Sequence, residues 1–460
     1  MDTVRGVDEE DRPSLPAETY VNLLRTMSEV TTVQAQHVVL AEAFALLNFD
    51  WDGSVLPYIC DTLFKWYNHG SNDIKNIILR IFINATLSNR KTQLYEICHD
   101  FITYNLKIAD SPDLVEHLLW ILVNLCDIPD TTIRLTQHNE CIFGLTRMLA
   151  TRWQASDRVL STITALLFNI SAVQPMRPEF VDVCLWLRCR IEFISKNSEL
   201  NQALLMFRRC MSCLPEHALG IIFDPEFIEM MINWSVQSEF NVIVELEIFD
   251  NLISMPNEAL GTKYANMLAD KKLFLALQGV FARNRDKVDV HEAAVWLIGN
   301  MCEDPENVRK MLQTDLIHKI FDVVRNPATS NAAKSTSVLC LCDAIKVSLP
   351  TRIKRVVDDG CIEVFAKYMN EHATTADVAV VVNILAATKL IIDAGPCLKV
   401  DYLEAMEFHG MKQAIETFAY HKNPKISTFC DALLSYSFDG KEMVDDVIDE
   451  PVDFFTSVSQ

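Results

Sequence analysis

The chain has 460 residues, with 62 acidic against 41 basic side chains, a formal net charge of −21, and an apolar half. Its 12 Gly and 16 Pro are too few for low-complexity or disordered sequence, and the apolar content is ample for packed interiors. Such acidity argues against nucleic acid or an anionic membrane, which demand concentrated Lys and Arg, and favours basic partners.

From the N-terminus, MDTVRGVDEEDRPS is polar and acidic with no apolar run of the secretory kind, and residues 1–20 read as an acidic flexible segment. Helical periodicity then dominates. Leu118, Ile121, Leu122 and Leu125 recur at helical spacing, as do Ile317, Ile320, Phe321 and Val324. Short polar breaks at 68–70, 127–130, 254–257 and 304–306 punctuate the helices, and no long linker divides the chain. Apolar runs such as 378–392 are shorter or more interrupted than the about 20 residues of a spanning helix, so no membrane insertion is expected. The 14 Cys are scattered through apolar stretches; reduced, mostly buried thiols in cytoplasm or nucleus are the expectation.

Length without linkers is explained by a repeat array, which grows without enlarging one core. Apolar helices ending in a marked polar residue recur along the chain: RIFINATL (80–87), LWILVNLCD (119–127), ALLFNISA (165–172), LLMFRRCMSC (204–213), EIFDNLIS (247–254), VWLIGNMCED (295–304), LCLCDAI (339–345) and LAATKLII (385–392). The marked residues are Asn84, Asn124, Asn169, Arg208, Asn251, Asn300, Asp343 and Lys389, at steps of 40, 45, 39, 43, 49, 43 and 46 residues. That is the period of armadillo and HEAT solenoids, about 40–47 residues. Further apolar helices lie between them, among them CIFGLTRML (141–149), LIHKIFDVV (316–324), CIEVFAKYM (361–369) and GMKQAIETF (410–418). Each repeat therefore reads as a short helix, a second helix, and a third carrying the marked residue. About ten repeats are expected in an armadillo domain over 21–438, followed by an acidic tail at 439–460.

The segment AAVWLIGNMCEDPENVRKMLQTDLIHKIFDVVRNP (293–327) resembles the repeat of the importin-α family, with its Trp-x-x-x-Asn third helix. LLWILVNLCD (118–127) resembles another, and 34–70 resembles the family's first repeat. The resemblance implies an all-α, right-handed superhelical armadillo-repeat solenoid of three-helix units. It also implies an adaptor that binds basic nuclear localisation signals of cargo proteins in a concave groove, working between cytoplasm and nucleus. Residues four apart share one helix face, so Trp120 with Asn124, and Trp296 with Asn300, would address the same groove. An Asn amide can both donate to and accept from an extended backbone, while indoles wall the stems of Lys or Arg with cation–π attraction of about 0.5–2 kcal/mol. Asp127 would pair with the cationic head. Asn84, Asn124 and Asn169 fall where the family's major site lies; Asn251, Trp296 and Asn300 fall in the region of its minor site.

Departures accompany the likeness. Arg80 and Ala165 stand where the family would place Trp, and Leu339 and Asp343 replace Trp and Asn. Residues 1–30 hold Arg5, Arg12 and Arg25 and no Lys, so the family's basic importin-β-binding segment is not expected, nor its autoinhibition. By family analogy alone, an export receptor would meet the C-terminal repeats. The alternative left open is an armadillo scaffold whose signal-binding groove is degenerate and serves one dedicated partner. Catalysis, cofactors and metals are not expected: Cys210-Met-Ser-Cys213 lacks a second ligand pair, and no phosphate-binding or nucleophile-elbow motif occurs.

Overall fold

The computed structural model describes residues 56–87, 91–137, 142–194, 197–237, 242–372 and 377–437, with isolated positions before residue 56. The expected flanking segments at 1–20 and 439–460, and most of the resemblance at 34–55, lie outside the described residues. What is described is helical, with two short 3-10 turns and no strand. The chain divides into two compact units, residues 1–222 and 223–460.

In the N-terminal unit the helices are α1 (Leu56–His69), α2 (Asn72–Ala85), α3 (Lys91–Ile108), α4 (Pro112–Leu125), α5 (Pro129–Gln137), α6 (Ile142–Arg152), α7 (Asp157–Val173), α8 (Phe180–Arg190), α9 (Asn197–Cys210) and α10 (Glu216–Ile222). The marked helices stack in sequence, α2 on α4, α4 on α7 and α7 on α9. Their buried faces are aliphatic. On α4, Leu118, Leu119, Ile121 and Leu122 are wholly buried, each stabilising the stack by about 1.5–3 kcal/mol.

The C-terminal unit continues with α11 (Pro225–Gln237), α12 (Val242–Ile253), α13 (Glu258–Asp270), α14 (Leu273–Arg283), α15 (Val288–Met301), α16 (Pro305–Met311), α17 (Leu316–Arg325), α18 (Asn331–Lys346), α19 (Pro350–Asp358), α20 (Cys361–Glu371), α21 (Val378–Leu398), α22 (Tyr402–Phe408), α23 (Met411–Ala419) and α24 (Pro424–Ser437). Here α12, α15, α18, α21 and α24 stack successively, as do the second helices α11, α14, α17, α20 and α23.

Local chemistry sets the helix ends. Ser111 caps α4 ahead of Pro112, and Asp304 caps α16 ahead of Pro305, placing a side-chain acceptor where backbone N–H groups lack partners and Pro where none is needed. Between first and second helices the chain turns through left-handed residues: Lys272 (φ 65°), Gly360 (φ 104°) and Gly410 (φ 76°). Glycine takes this conformation without the Cβ clash that Lys272 must bear.

Two repeats depart from the expected three helices. Lys91–Ile108 is one continuous helix of 18 residues, because KTQLYEICHDFITYNLKI offers no Gly or Pro to break it. Before α8, Pro175 and Pro178 stand where a first helix would need N–H donors, and no helix forms there. The apolar run at 378–392 also extends further than expected. It belongs to the 21-residue helix α21, which is long and apolar enough to cross a membrane, yet half of its apolar window is buried against α18, α19 and α24.

Of the 13 described cysteines all are free thiols and ten are buried. Cys213 Sγ donates to the Cys210 carbonyl at 2.9 Å and the Pro175 carbonyl at 3.3 Å. No group of three or more potential metal ligands occurs among the described residues.

Candidate peptide-binding face

On α4, which also carries half-buried His117, a stripe of residues outside the core reads Asp113, Glu116, Trp120, Asn124 and Asp127, the last just past the helix end. Spacings of three and four keep them on one face. Trp120 is 37% exposed, so its indole is available as a wall. Asn124 Nδ2 donates to Thr86 Oγ1 at 2.8 Å and to the Ile83 carbonyl at 3.4 Å. That carbonyl is in the last turn of α2, where helical acceptors lack intrahelical donors.

The chain's own cations neutralise this stripe. Arg158, in the first turn of α7, reaches Asp113 at 3.0 Å and Glu116 at 2.5 Å. Lys91, at the start of α3, sits 3.0 Å from Asp127. Arg80 is exposed on α2, and its charge, after burial, helps hold the His117 imidazole below its ordinary pKa.

Helix α15 carries the same stripe at the same offsets: Asp289, Glu292, Trp296, Asn300 and, just past its end, Glu303. Trp296 is 43% exposed. Between the indole and the amide, Gly299 lets α18 approach: a Cβ there would lie 2.7 Å from Thr336 Cγ2. Asn300 Nδ2 donates to Asp250 Oδ1 at 2.6 Å and Ser254 Oγ at 3.2 Å. Burial raises the Asp250 pKa, the Asn300 bond opposes this, and nearby Glu247 adds to it. Glu292 accepts from the Ser330 backbone N–H at 2.6 Å. Among the described residues, Asp289 and Glu303 have neither an ion pair nor a hydrogen bond. The stripe is thus carboxylate-rich, with no ion pair of its own among the described residues.

The remaining expected residues lie on the marked helices α2, α7 and α12. Asn169 Nδ2 donates to the Val123 carbonyl at 3.0 Å and to Asp127 Oδ1 at 3.4 Å, repeating the Asn124 bond one repeat later. Asn84 is half-buried in the last turn of α2, and Asn251 is exposed on α12, one residue from Asp250. In the next N-terminal repeat Arg209, one position after the marked Arg208, makes the contacts that match those of Asn124. Its guanidinium donates to the Phe168 carbonyl at 3.2 Å and Ser171 Oγ at 3.3 Å, and lies 4.5 Å from the Phe168 ring centroid. Further on, Asp343 pairs with Lys346 at 3.0 Å, Lys346 also reaches Asn383, and Lys389 pairs with Asp393 at 2.8 Å.

The structure refines how the amides can act. Asn124, Asn169 and Asn300 each spend the nitrogen on the neighbouring repeat, which fixes the carboxamide orientation. Their Oδ1 atoms accept nothing within the described residues and can take an N–H from an extended chain. Sequence reasoning expected donation and acceptance together; only acceptance is open. Sequence reasoning also missed Thr86, Lys91, Arg158, Arg209, Asp250 and Ser254. The repeated acid positions four and seven residues before each Trp and seven after were the available signal for the stripe itself.

A cleft lies elsewhere in the N-terminal unit. It measures about 540 Å³, lined by α6, α7 and α8 with Ile163, Leu167 and Val183 among its apolar walls. None of the expected site residues borders it.

No family model matches the chain, and no curated protein matches it. Solved structures do. An engineered protein aligns with TM-score 0.63 at 13% identity, over 90% of this chain and 98% of that one. A chain from a structure of the phosphorylation-controlled interaction between cadherin and β-catenin aligns with TM-score 0.60 at 11% identity, over 93% of each. A designed armadillo-repeat protein in complex with a (KR)4 peptide aligns with TM-score 0.43 at 14% identity, over 55% of this chain and 98% of that one. The fold is an all-α armadillo-type solenoid. In this fold the two stripes belong to third helices of their repeats, and neighbouring third helices flank both.

Proposed function

We propose that the protein is a non-enzymatic adaptor that binds an extended basic segment of a partner protein, of the nuclear-localisation-signal class, along the third-helix face of its C-terminal unit. The observation that carries this reading is the α15 stripe, where the accessible Trp296 indole lies between Asp289 and Glu303, which have no ion pair among the described residues. A Lys or Arg stem laid on the indole gains cation–π attraction of about 0.5–2 kcal/mol, with Glu303 or Asp289 meeting its charged head. The Asn300 Oδ1 accepts a backbone N–H, holding the segment without reading its side chains. The net charge of −21 draws in a cationic partner at long range. Work between cytoplasm and nucleus, in nuclear import, follows from the importin-α resemblance.

Fluorescence anisotropy of a labelled lysine-rich signal peptide tests this. Micromolar or tighter binding that weakens with salt is expected. The Trp296→Ala, Asn300→Ala pair should lower affinity about tenfold or more, equivalent to about 1.4 kcal/mol. Unchanged affinity would remove the proposal.

A second reading, a scaffold with a degenerate groove for one dedicated partner, is favoured by the neutralised α4 stripe and by Arg80 and Ala165. Co-purification separates the two: many basic cargo proteins in the first case, a single stoichiometric partner in the second.

A further inference from the structure

Acid-flanked Trp-x-x-x-Asn stripes occur on α4 and on α15, and they differ in who supplies the cation. On α15 nothing in the described chain pairs with Asp289 or Glu303. On α4 all three carboxylates are already paired: Asp113 and Glu116 with Arg158, and Asp127 with Lys91. Burial strengthens two of these contacts, since the Glu116 side chain is only 14% exposed and the Lys91 side chain 18%; water screens such groups less than fully exposed ones.

A lysine arriving at Trp120 would therefore have to displace an internal cation, or sit beside it with like charges in close range. Arg80, exposed on the adjacent helix α2, adds a further positive charge to that side. In the next groove along, between α7 and α9, Arg209 already lies over the Phe168 ring and fills the aromatic wall that a ligand cation would use. Four contacts supplied by three different helices thus point the same way.

We propose that Lys91 and Arg158 are specificity-determining residues that close the Trp120 stripe to cationic segments, so that a basic peptide engages this protein only at the Trp296 stripe. The inference rests on the proposed function for its ligand. Its mechanism is internal: the two side chains occupy the carboxylates that an incoming ammonium or guanidinium group would need. Among the described residues, neither makes a cation–π pair with the Trp120 indole or a hydrogen bond to Asn124 Oδ1. Removing the cations should convert α4 into a second basic-peptide site.

The test uses the full chain and a labelled lysine-rich peptide in anisotropy titrations. Trp296→Ala first silences α15. Lys91→Gln and Arg158→Gln are then added to that background. Affinity should rise about tenfold over Trp296→Ala alone, and Trp120→Ala should abolish the gain. Because Arg158→Gln leaves Glu116 without its partner, circular dichroism checks each fold. Lys91→Gln alone, which frees the half-exposed Asp127, supplies a milder variant expected to gain about threefold.

The outcomes separate cleanly. Wild-type binding that is lost in Trp296→Ala, with no gain in folded charge variants, overturns this inference and leaves the proposed function standing. Wild-type binding that survives Trp296→Ala but disappears in Trp120→Ala overturns both. No wild-type binding, with a Trp120-dependent gain in the variants, upholds the closing role of the two cations and rejects the proposed function. Absence of binding in every form overturns both.

Discussion

The α4 stripe of the N-terminal unit and the α15 stripe of the C-terminal unit handle their carboxylates in opposite ways. Around α4, every acid of the stripe has an arginine or lysine from another helix; around α15, the matching acids at the two ends have no partner among the described residues. The contrast extends into the interior. In the N-terminal unit, buried Glu199 lies 2.8 Å from Arg190, whose side chain is itself 9% exposed. In the C-terminal unit, Glu245 in the first turn of α12 is fully buried and neither carboxylate oxygen has a hydrogen-bond partner. Burial pushes its pKa up to about 8. The α4 stripe is neutralised by cations of its own unit, whereas Asp289 and Glu303 of the α15 stripe have no ion pair among the described residues, and the C-terminal unit holds an uncompensated acid in its core.

The sharpest way to break this comparison is Arg190→Leu. It strands Glu199 in a buried site, and the loss of one partner of a buried pair costs about 3–5 kcal/mol. A large fall in the denaturation midpoint is expected, and a change below about 1 kcal/mol would show that the pair is not holding the N-terminal unit together.

Glu245 supplies the converse. Its folded pKa lies above the unfolded value, so its neutral form is favoured by folding. That contribution is fully present below the ordinary glutamate range near 4.5 and is lost as pH rises to about 8. Glu245→Gln removes the titration, and at pH 8 the variant should exceed the wild type by on the order of 3 kcal/mol, converging with it near pH 4.5. Parallel stability profiles across that window would mean the carboxyl is solvated in solution.

A smaller effect is expected at the support of the α15 stripe. Asp250 and Ser254 hold the Asn300 carboxamide by its nitrogen, so Asp250→Ala should let it rotate. Peptide affinity should fall about threefold to fivefold, in line with one lost hydrogen bond of about 1 kcal/mol. Smallest of all is the stability effect of Lys91→Gln. A partly exposed pair contributes about 0–1 kcal/mol, so the melting curve should barely move even while peptide selectivity does.

Much of this architecture could be read before any coordinates. The marked polar residues recur every 39–49 positions because each third helix must present one polar side chain outward while stacking its aliphatic face. Trp120 with Asn124, and Trp296 with Asn300, were visible because residues four apart share a face wherever the helix sits. What could not be read is non-local. Lys91 meets Asp127 across 36 residues, and Arg158 meets Asp113 across 45; neither pairing leaves a trace in local spacing. Register also slipped once: the contacts to Phe168 and Ser171 that match those of Asn124 are made by Arg209, one position after the marked Arg208.

A direct measurement decides whether the unpaired carboxylates of α15 choose the ligand. A lysine-rich peptide carrying a photo-crosslinker is irradiated on the full chain, and the attachment sites are mapped by mass spectrometry. Labelling concentrated within residues 289–303 and on facing positions of α12 or α18 is the predicted result. Labelling concentrated on residues 113–127 would contradict the account, because it would place the cation where Arg158 and Lys91 already sit.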